Sequence, residues 1–427
     1  MAGKDKNVNP VPVSRRTIAA SSSPCFAEMR EPDPFESTRP GDSSELAGTR
    51  IAIKSNIAVA GFRTFAGCAA LIDDPPAARD APVITLLRKV GFDIVGTTVM
   101  DELAYGFTGC NAHFGFVPNP HDPTRISGGS SSGSAAAVAA GILDVALGTD
   151  TNGSVRLPAA LCGVWGLRPT AGAVPTEGIV PLSTTLDIPG PIASNATYLT
   201  ALAEAMGINI GEEVPPGQLK VAFVTGFPAA PVTPEVSTAI ERFASGMGVA
   251  GHVDTPWAAA ARSGAQIITA FEAGAAHRWL LRQRSDRLGP LLRDRLIAGN
   301  CLRPEAYQRA LDLRAFLRAQ IAQLFAGYDI LLLPAAPCPA PPATWETVDA
   351  CGVVEPINAA MGRCTIPFSF VGLPALSVPI RDASESGLPI GAQLVGRPGS
   401  DGVLLALARN LEERGLAAAH IVRGNGS

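Results

Sequence analysis

The spacing of apolar and polar positions divides the 427 residues into a leader and an ordered body. Residues 1–46 are rich in Ser, Pro and charge and show little apolar periodicity, which predicts a loosely ordered leader ahead of a body over 47–427. Order is expected to begin at residues 51–53, Ile-Ala-Ile, a short apolar run with the character of a buried strand. Residues 81–90 place Val83, Leu86, Leu87 and Val90 on one helical face, and residues 92–95 read as a strand. This strand–helix–strand alternation predicts α/β architecture. Residues 134–141, Ala- and Val-rich, read as a buried helix entered through a Gly-rich turn, with a strand over 143–147 after it. The stretch 235–325 has apolar spacing near 3.6 and longer charged segments, and predicts a helical layer or subdomain on the sheet. Strands are expected at 329–334, 376–380 and 390–395, and a closing helix at 401–413. Between them a Pro-rich loop runs from 337 to about 356, and loops of that length in compact enzymes often border active sites. No internal repeat is visible.

Composition narrows the function classes. With 47% hydrophobic and 17% charged residues, the chain can bury a sizeable core. A net charge of −4 without a dense basic stretch argues against direct nucleic-acid binding. The eight cysteines form no C-x-x-C pair, which predicts scattered reduced thiols and neither a zinc ribbon nor a redox dithiol. Arg15 and Arg16 precede a segment too short and polar for a signal sequence, and no apolar run approaches the ~20 residues of a membrane span. A cytoplasmic protein without metal or organic cofactor is the expectation.

Three segments carry candidate chemistry. Lys54 ends the apolar run at 51–53. Residues 128–133, Gly-Gly-Ser-Ser-Ser-Gly, form a small-residue turn before the helix. Residues 148–156, Gly-Thr-Asp-Thr-Asn-Gly-Ser-Val-Arg, follow an apolar strand. Taken singly these are a solvated lysine, a linker and a turn. Together they supply what acyl transfer by a serine requires. A serine hydroxyl needs a base, and none of the five histidines sits in a recognisable triad setting, so a Ser–Lys arrangement is the natural alternative. A lysine serves as base only when neutral, and burial favours that form. Consecutive N–H groups in the turn around the serine would supply an oxyanion site. The G-x-S-x-G match at 129–133 is a decoy, because a nucleophile elbow needs a strand directly before it and a Pro-broken stretch precedes this one.

The order and content of these segments resemble the amidase signature family. Residues 128–141 match its defining Gly-Gly-Ser-Ser motif, and the match continues through 147–159, 162–169, 368–379 and 388–394. The resemblance spans roughly 47–415 and implies a mixed central β-sheet covered by helices on both faces. Position by position it implies Lys54 as base, Ser130 as bridging serine and Ser154 as acylated nucleophile. Thr151, Asn152 and Gly153, with Ser154 itself, become the oxyanion turn. Two departures stand out: Ser55 follows the lysine where Asp is frequent, and Asn152 replaces a glycine. Asn152, residues 101–106, 293–299 and 365–369 resemble the branch that includes carboxybiuret hydrolase. The short region before Lys54 resembles indole-acetamide hydrolases.

The resulting expectation is an amidase that cleaves a small carboxamide or urea-like substrate through a serine acyl-enzyme, with a homodimer left open. Two other uses of such a site compete: the glutaminase component of an amidotransferase complex, and an acyltransferase. Tyr105 and Ser131 are candidate substrate contacts. So is Trp345, in the Pro-rich loop with Val353 and Val354, apolar groups that would be wasted on an outer surface.

Overall fold

The computed structural model describes residues 23–30, 46–211, 218–381 and 385–422. The first half runs β1 (Phe26–Met29), β2 (Arg50–Lys54), α1 (Pro82–Val90), β3 (Asp93–Thr98) and two small hairpins. These are β4 (Cys110–Asn111) with β5 (Gly115–Phe116), and β6 (Pro118–Asn119) with β7 (Asp122–Ile126). Then come α2 (Ser132–Ala139), β8 (Val145–Asp150), α3 (Arg156–Cys162), β9 (Trp165–Arg168), β10 (Ile188–Ala193) and α4 (Ala196–Ala205). The second half runs β11 (Val221–Thr225), α5 (Pro234–Met247), β12 (Gly251–Asp254), α6 (Ala258–Ala276), α7 (Arg278–Gln283), α8 (Pro290–Cys301), α9 (Pro304–Leu324) and β13 (Ile330–Pro334). The hairpin β14 (Thr347–Ala350) and β15 (Val353–Pro356), α10 (Ile357–Met361), α11 (Ile366–Val371), β16 (Ala375–Pro379), β17 (Gly391–Gly396) and α12 (Asp401–Glu413) complete it.

Eleven strands form one sheet in the order β1-β3-β2-β8-β10-β9-β16-β17-β13-β11-β12. It is mixed. β3, β2 and β8 run parallel, as do β13, β11 and β12, with antiparallel pairing between the two groups. Strand alternation sends successive side chains to opposite faces, and both faces are covered. Ile330 and Leu332 pack with residues of α1, α4, α5 and α12, whereas Leu331 and Leu333 pack with α6, α9 and α11. On the second face Ala52 and Val95 meet α2 through Ala136 and Ala137. That explains the uninterrupted apolar run of β13, whose five residues are all buried. The expected α/β fold is the one found.

Three expectations are corrected. The leader contributes to the body: Phe26–Met29 pairs antiparallel with β3 at the sheet edge, and Phe26 is only 2% exposed. Its four residues are too few to register as periodic. The remainder of 1–46, apart from 23–30 and Leu46, lies outside the described residues. The stretch 235–325 is not one layer. It contains the strand β12, and α5 packs on the face opposite α6 and α9. The loop after 337 carries a β-hairpin whose Val353 and Val354 are exposed, 44% and 61%. They lie on the outer surface, against that expectation.

Phe26→Ala removes a buried aromatic from the sheet edge. It should destabilise the protein by about 3 kcal/mol, read as a lowered midpoint in urea. A midpoint matching the parent's would show that the edge strand contributes nothing.

Candidate active site

Alternation along β2 places Ile51 and Ile53 in the core beneath α1, and Ala52 and Lys54 on the face that α2 covers. Lys54 is fully buried at the strand's end. Its Nζ lies 2.7 Å from Ser130 Oγ and donates to Thr149 Oγ1 at 2.9 Å and to the Thr149 carbonyl at 3.3 Å. Asn56 Nδ2 also reaches Thr149 Oγ1, at 3.2 Å. No carboxylate lies within ion-pair distance of Lys54 among the described residues. Burial pushes the amine down to about 7, against the weaker opposing pull of Asp101, Asp187 and Asp150. The departure at Ser55 leaves the lysine held without an adjacent carboxylate, since the hydroxyls of Ser130 and Thr149 take that role. Ser55 itself is buried, and its Oγ finds no partner among the described residues.

Ser130 enters at the end of the Gly-rich turn, after a cis Gly129–Ser130 peptide, and α2 follows directly. Ser131 locks this turn to the neighbouring segment. Its N–H donates to the Ser154 carbonyl at 3.1 Å, and its Oγ bridges the Thr149 carbonyl and N–H at 3.2 and 3.3 Å. A Cβ on Gly148 would stand 2.7 Å from Ser131 Oγ, so the glycine permits this approach. Ser131 is therefore a tie between backbone segments, fully buried and absent from the cavity wall, and not a substrate contact.

The turn carrying Ser154 is built around Asp150. Its carboxylate accepts from the N–H groups of Gly153 at 2.8 Å and Val155 at 3.3 Å, from Arg156 Nε and Nη2, both at 3.0 Å, and from Arg168 Nη1 at 2.9 Å. Burial alone would raise this carboxyl, but the two guanidiniums hold it well below the usual carboxylate range. Gly153 has φ +133°, and a Cβ there would collide with Thr365 Oγ1. Thr365 in turn donates to the Asn152 carbonyl at 2.6 Å. Thr151 Oγ1 donates to Asp187 at 2.5 Å, and Asn152 Nδ2 to Thr269 Oγ1 at 2.9 Å. The oxyanion expectation is corrected at one position. The Gly153 N–H is already committed to Asp150, whereas those of Thr151, Asn152 and Ser154 have no acceptor among the described residues.

Thr151, Asn152 and Ser154 line a cavity of about 320 Å³, together with Tyr105, Phe107, Thr269, Arg295, Asn358 and others. A larger outer cavity, about 670 Å³, shares Tyr105, Gly106, Arg295 and Asn358 with it and reaches Trp345. Tyr105 thus stands at the wall of both, while Trp345, 49% exposed, lines only the outer one. The histidines keep their ordinary reading: His121, His277 and His420 each pair a ring nitrogen with a backbone carbonyl. Among the described residues no His/Cys/Asp/Glu group could hold a metal, and no helix is long and apolar enough to cross a membrane. Sequence reasoning missed Thr149, Asp150, Arg168 and Arg295. The first two lie inside the segment 148–156, where two acceptors ahead of Arg156 could have signalled a buried network. Arg295 falls within 293–299, a stretch that carries a family resemblance, but nothing local assigned it a place at the site.

The family model for amidases matches residues 25–405. AtzE of Pseudomonas sp. (strain ADP), one of the subunits of 1-carboxybiuret hydrolase, is 37% identical, over 87% of this chain and 85% of the relative. The A-type subunit of the glutamyl-tRNA(Gln) amidotransferase of Symbiobacterium thermophilum is 32% identical, over 85% and 82%. Among solved structures, an s-triazine catabolic enzyme described within a vestigial protein complex superposes with TM-score 0.84 at 36% identity, covering 89% of this chain and 86% of that one. A crystal structure of an amidase does so with TM-score 0.82 at 32% identity, covering 92% of each. On these matches and the fold that agrees with them, the chain belongs to the amidase signature family and is a hydrolase of carbon–nitrogen bonds in small linear amides.

Proposed function

We propose that hydrolysis proceeds through an acyl-enzyme on Ser154, with Ser130 as proton bridge and Lys54 as the base. The observation that carries this reading is the buried Lys54, without a carboxylate partner and 2.7 Å from Ser130 Oγ. A neutral amine in that position accepts the Ser130 hydroxyl proton, which frees Ser130 Oγ to take the proton of Ser154. Ser154 Oγ adds to the substrate carbonyl carbon. The oxyanion that forms accepts from the N–H groups of Thr151, Asn152 and Ser154, which the fold leaves free while the Gly153 N–H shapes the turn. As the C–N bond breaks, the proton returns from Lys54 through Ser130 to the leaving nitrogen. Water then adds to the acyl carbonyl, giving up its proton along the same route, and Ser154 is released with the carboxylic acid. The substrate is a small carboxamide or urea-like molecule, in keeping with a cavity of about 320 Å³. The amidotransferase relatives make a glutaminase role within a complex the competing use of the site, and steady ammonia release by the isolated chain from simple amides would exclude it.

A fluorophosphonate should label Ser154, located by peptide mass mapping, and Ser154→Ala should lower kcat by a factor of about 10⁴ or more, because such residues act as a unit. Label on Ser131 or on a cysteine would contradict the assignment.

The base must be neutral to act, so its protonated form is inactive. With Lys54 at about 7, the acylation rate should rise tenfold per pH unit below that value and level off above it. Lys54→Arg should be inactive throughout, since guanidinium keeps its proton. A flat profile between pH 5 and 8, or an active arginine variant, would sink the role.

A further inference from the structure

Two side chains of the turn before Ser154 are held from outside it. Thr151 Oγ1 donates to Asp187 at 2.5 Å, and Asn152 Nδ2 donates to Thr269 Oγ1 at 2.9 Å. Asn152 Oδ1 finds no partner among the described residues, so Thr269 is that side chain's anchor. Asp187 closes the segment 182–187 and accepts from the N–H groups of Leu182 and Ser183, at 2.8 and 3.0 Å. Thr269 belongs to α6. The segment and the helix are joined by Glu272, one helical turn beyond Thr269 and 7% exposed. Its carboxylate accepts from Ser183 Oγ at 2.5 Å, from the Thr185 N–H at 3.1 Å and from Thr185 Oγ1 at 2.9 Å. Tyr307 of α9 donates to it as well, at 2.7 Å, with its ring stacked on Phe271 at 4.4 Å between centroids. A carboxylate offers about four acceptor sites, and here four neutral donors fill them.

We infer that Glu272 is a positioning residue for the oxyanion site. It closes a ring that runs from Thr151 through Asp187, Ser183, Glu272 and Thr269 to Asn152, and returns to Thr151 along the backbone. The inference rests on the acyl-enzyme reading, in which the N–H groups of Thr151 and Asn152 meet the charge that develops on the carbonyl oxygen. Glu272 is absent from the cavity wall and acts through Asp187 and Thr269. Asp150 fixes the turn from Gly153 onward, and the ring fixes the side chains of the two residues before it. Oxyanion donors are effective when they stand in place before charge develops, and a small displacement that begins far from the chemistry lowers the rate. The ordinary alternative is that Glu272 only anchors the segment 182–187 to the fold. That role would reduce the amount of working enzyme and act on every substrate alike.

The test uses sulfur, a weak hydrogen-bond acceptor. A thioamide gains little from oxyanion donors, so the ratio of kcat/KM for butyramide to that for thiobutyramide, both followed by ammonia release, reads the quality of the site. Glu272→Gln keeps the shape and replaces one acceptor oxygen by a donor. It should lower kcat on butyramide about tenfold with KM little changed, because the lost interaction is made in the transition state. It should also narrow the amide-to-thioamide ratio by a factor of about five, and slow fluorophosphonate labelling of Ser154, whose phosphoryl oxygen takes the same donors. Thr269→Val opens the ring on its other arm and should narrow the ratio likewise, and Thr269→Ser, which keeps the hydroxyl, should recover it. This second pair carries the test if Glu272→Gln does not fold. A native ratio in either Glu272→Gln or Thr269→Val, once folded, or a raised KM at unchanged kcat, would overturn the inference. Labelling of Ser154 in the native enzyme would leave the acyl-enzyme reading intact in those cases. A native enzyme that neither labels at Ser154 nor releases ammonia would overturn the two together.

Discussion

The arrangement depends on one constraint: an amine is kept in the interior without a counter-ion. A lysine taken out of water usually reaches solvent with its head group or finds a carboxylate. Lys54 does neither, and instead sits between the hydroxyls of Ser130 and Thr149. A buried ammonium so placed would be costly, and the fold meets the cost by favouring the neutral amine. Between about 7 and the ordinary value of 10.5, the unfolded chain binds a proton that the folded chain does not. Stability therefore rises with pH across that window, and below it the folded protein carries the full penalty of the buried charge. The lysine is unfavourable for folding in acid and useful for chemistry near neutrality. This is the usual sign of a group retained for function.

The opposite solution holds the other half of the site. Asp150 is equally buried but fully ionised, paired with Arg156 and Arg168 and with N–H groups of its own turn. Arg156 extends that network to Gln393 on β17, and Arg168 to the Leu186 carbonyl ahead of β10. One carboxylate thus ties the turn bearing Ser154 to distant strands of the sheet. A rigid turn is what an oxyanion site requires, because its donors must stand in place before charge develops. The two buried groups divide the labour: Asp150 fixes geometry with permanent charge, and Lys54 moves a proton because it has none.

Much of this was legible in the sequence. The apolar runs that end at Lys54, precede residue 148 and close at Glu413 correspond to β2, β8 and α12. The small residues at 128–133 and 148–154 mark places of close approach, as Gly133 against the backbone of Cys25 and Val99 and Gly148 against the Ser131 side chain show. What escaped notice has physical reasons. β1 is four residues long and takes its order from β3, so nothing local announces it. The valines at 353 and 354 belong to a hairpin whose apolar face stays exposed, so their hydrophobicity misled. Arg295 lies in a stretch that carried only a family resemblance, and tertiary structure is what places it on the wall of the cavity holding Ser154. Gly153 was right as a glycine and wrong as a donor, because a carboxylate three residues earlier claims its N–H first.

The central claim is the neutrality of Lys54, and it can be observed without reference to turnover. The chain has only five lysines, Lys4, Lys6, Lys54, Lys89 and Lys220, so a protein labelled with ¹³C at the lysine ε-carbon should give few signals, with Lys54→Met identifying the one of interest. Titrated by NMR in the absence of substrate, that signal should move with a midpoint about 7. A Lys54 signal with its midpoint near 10.5 would mean a charged lysine at neutral pH and would contradict the account.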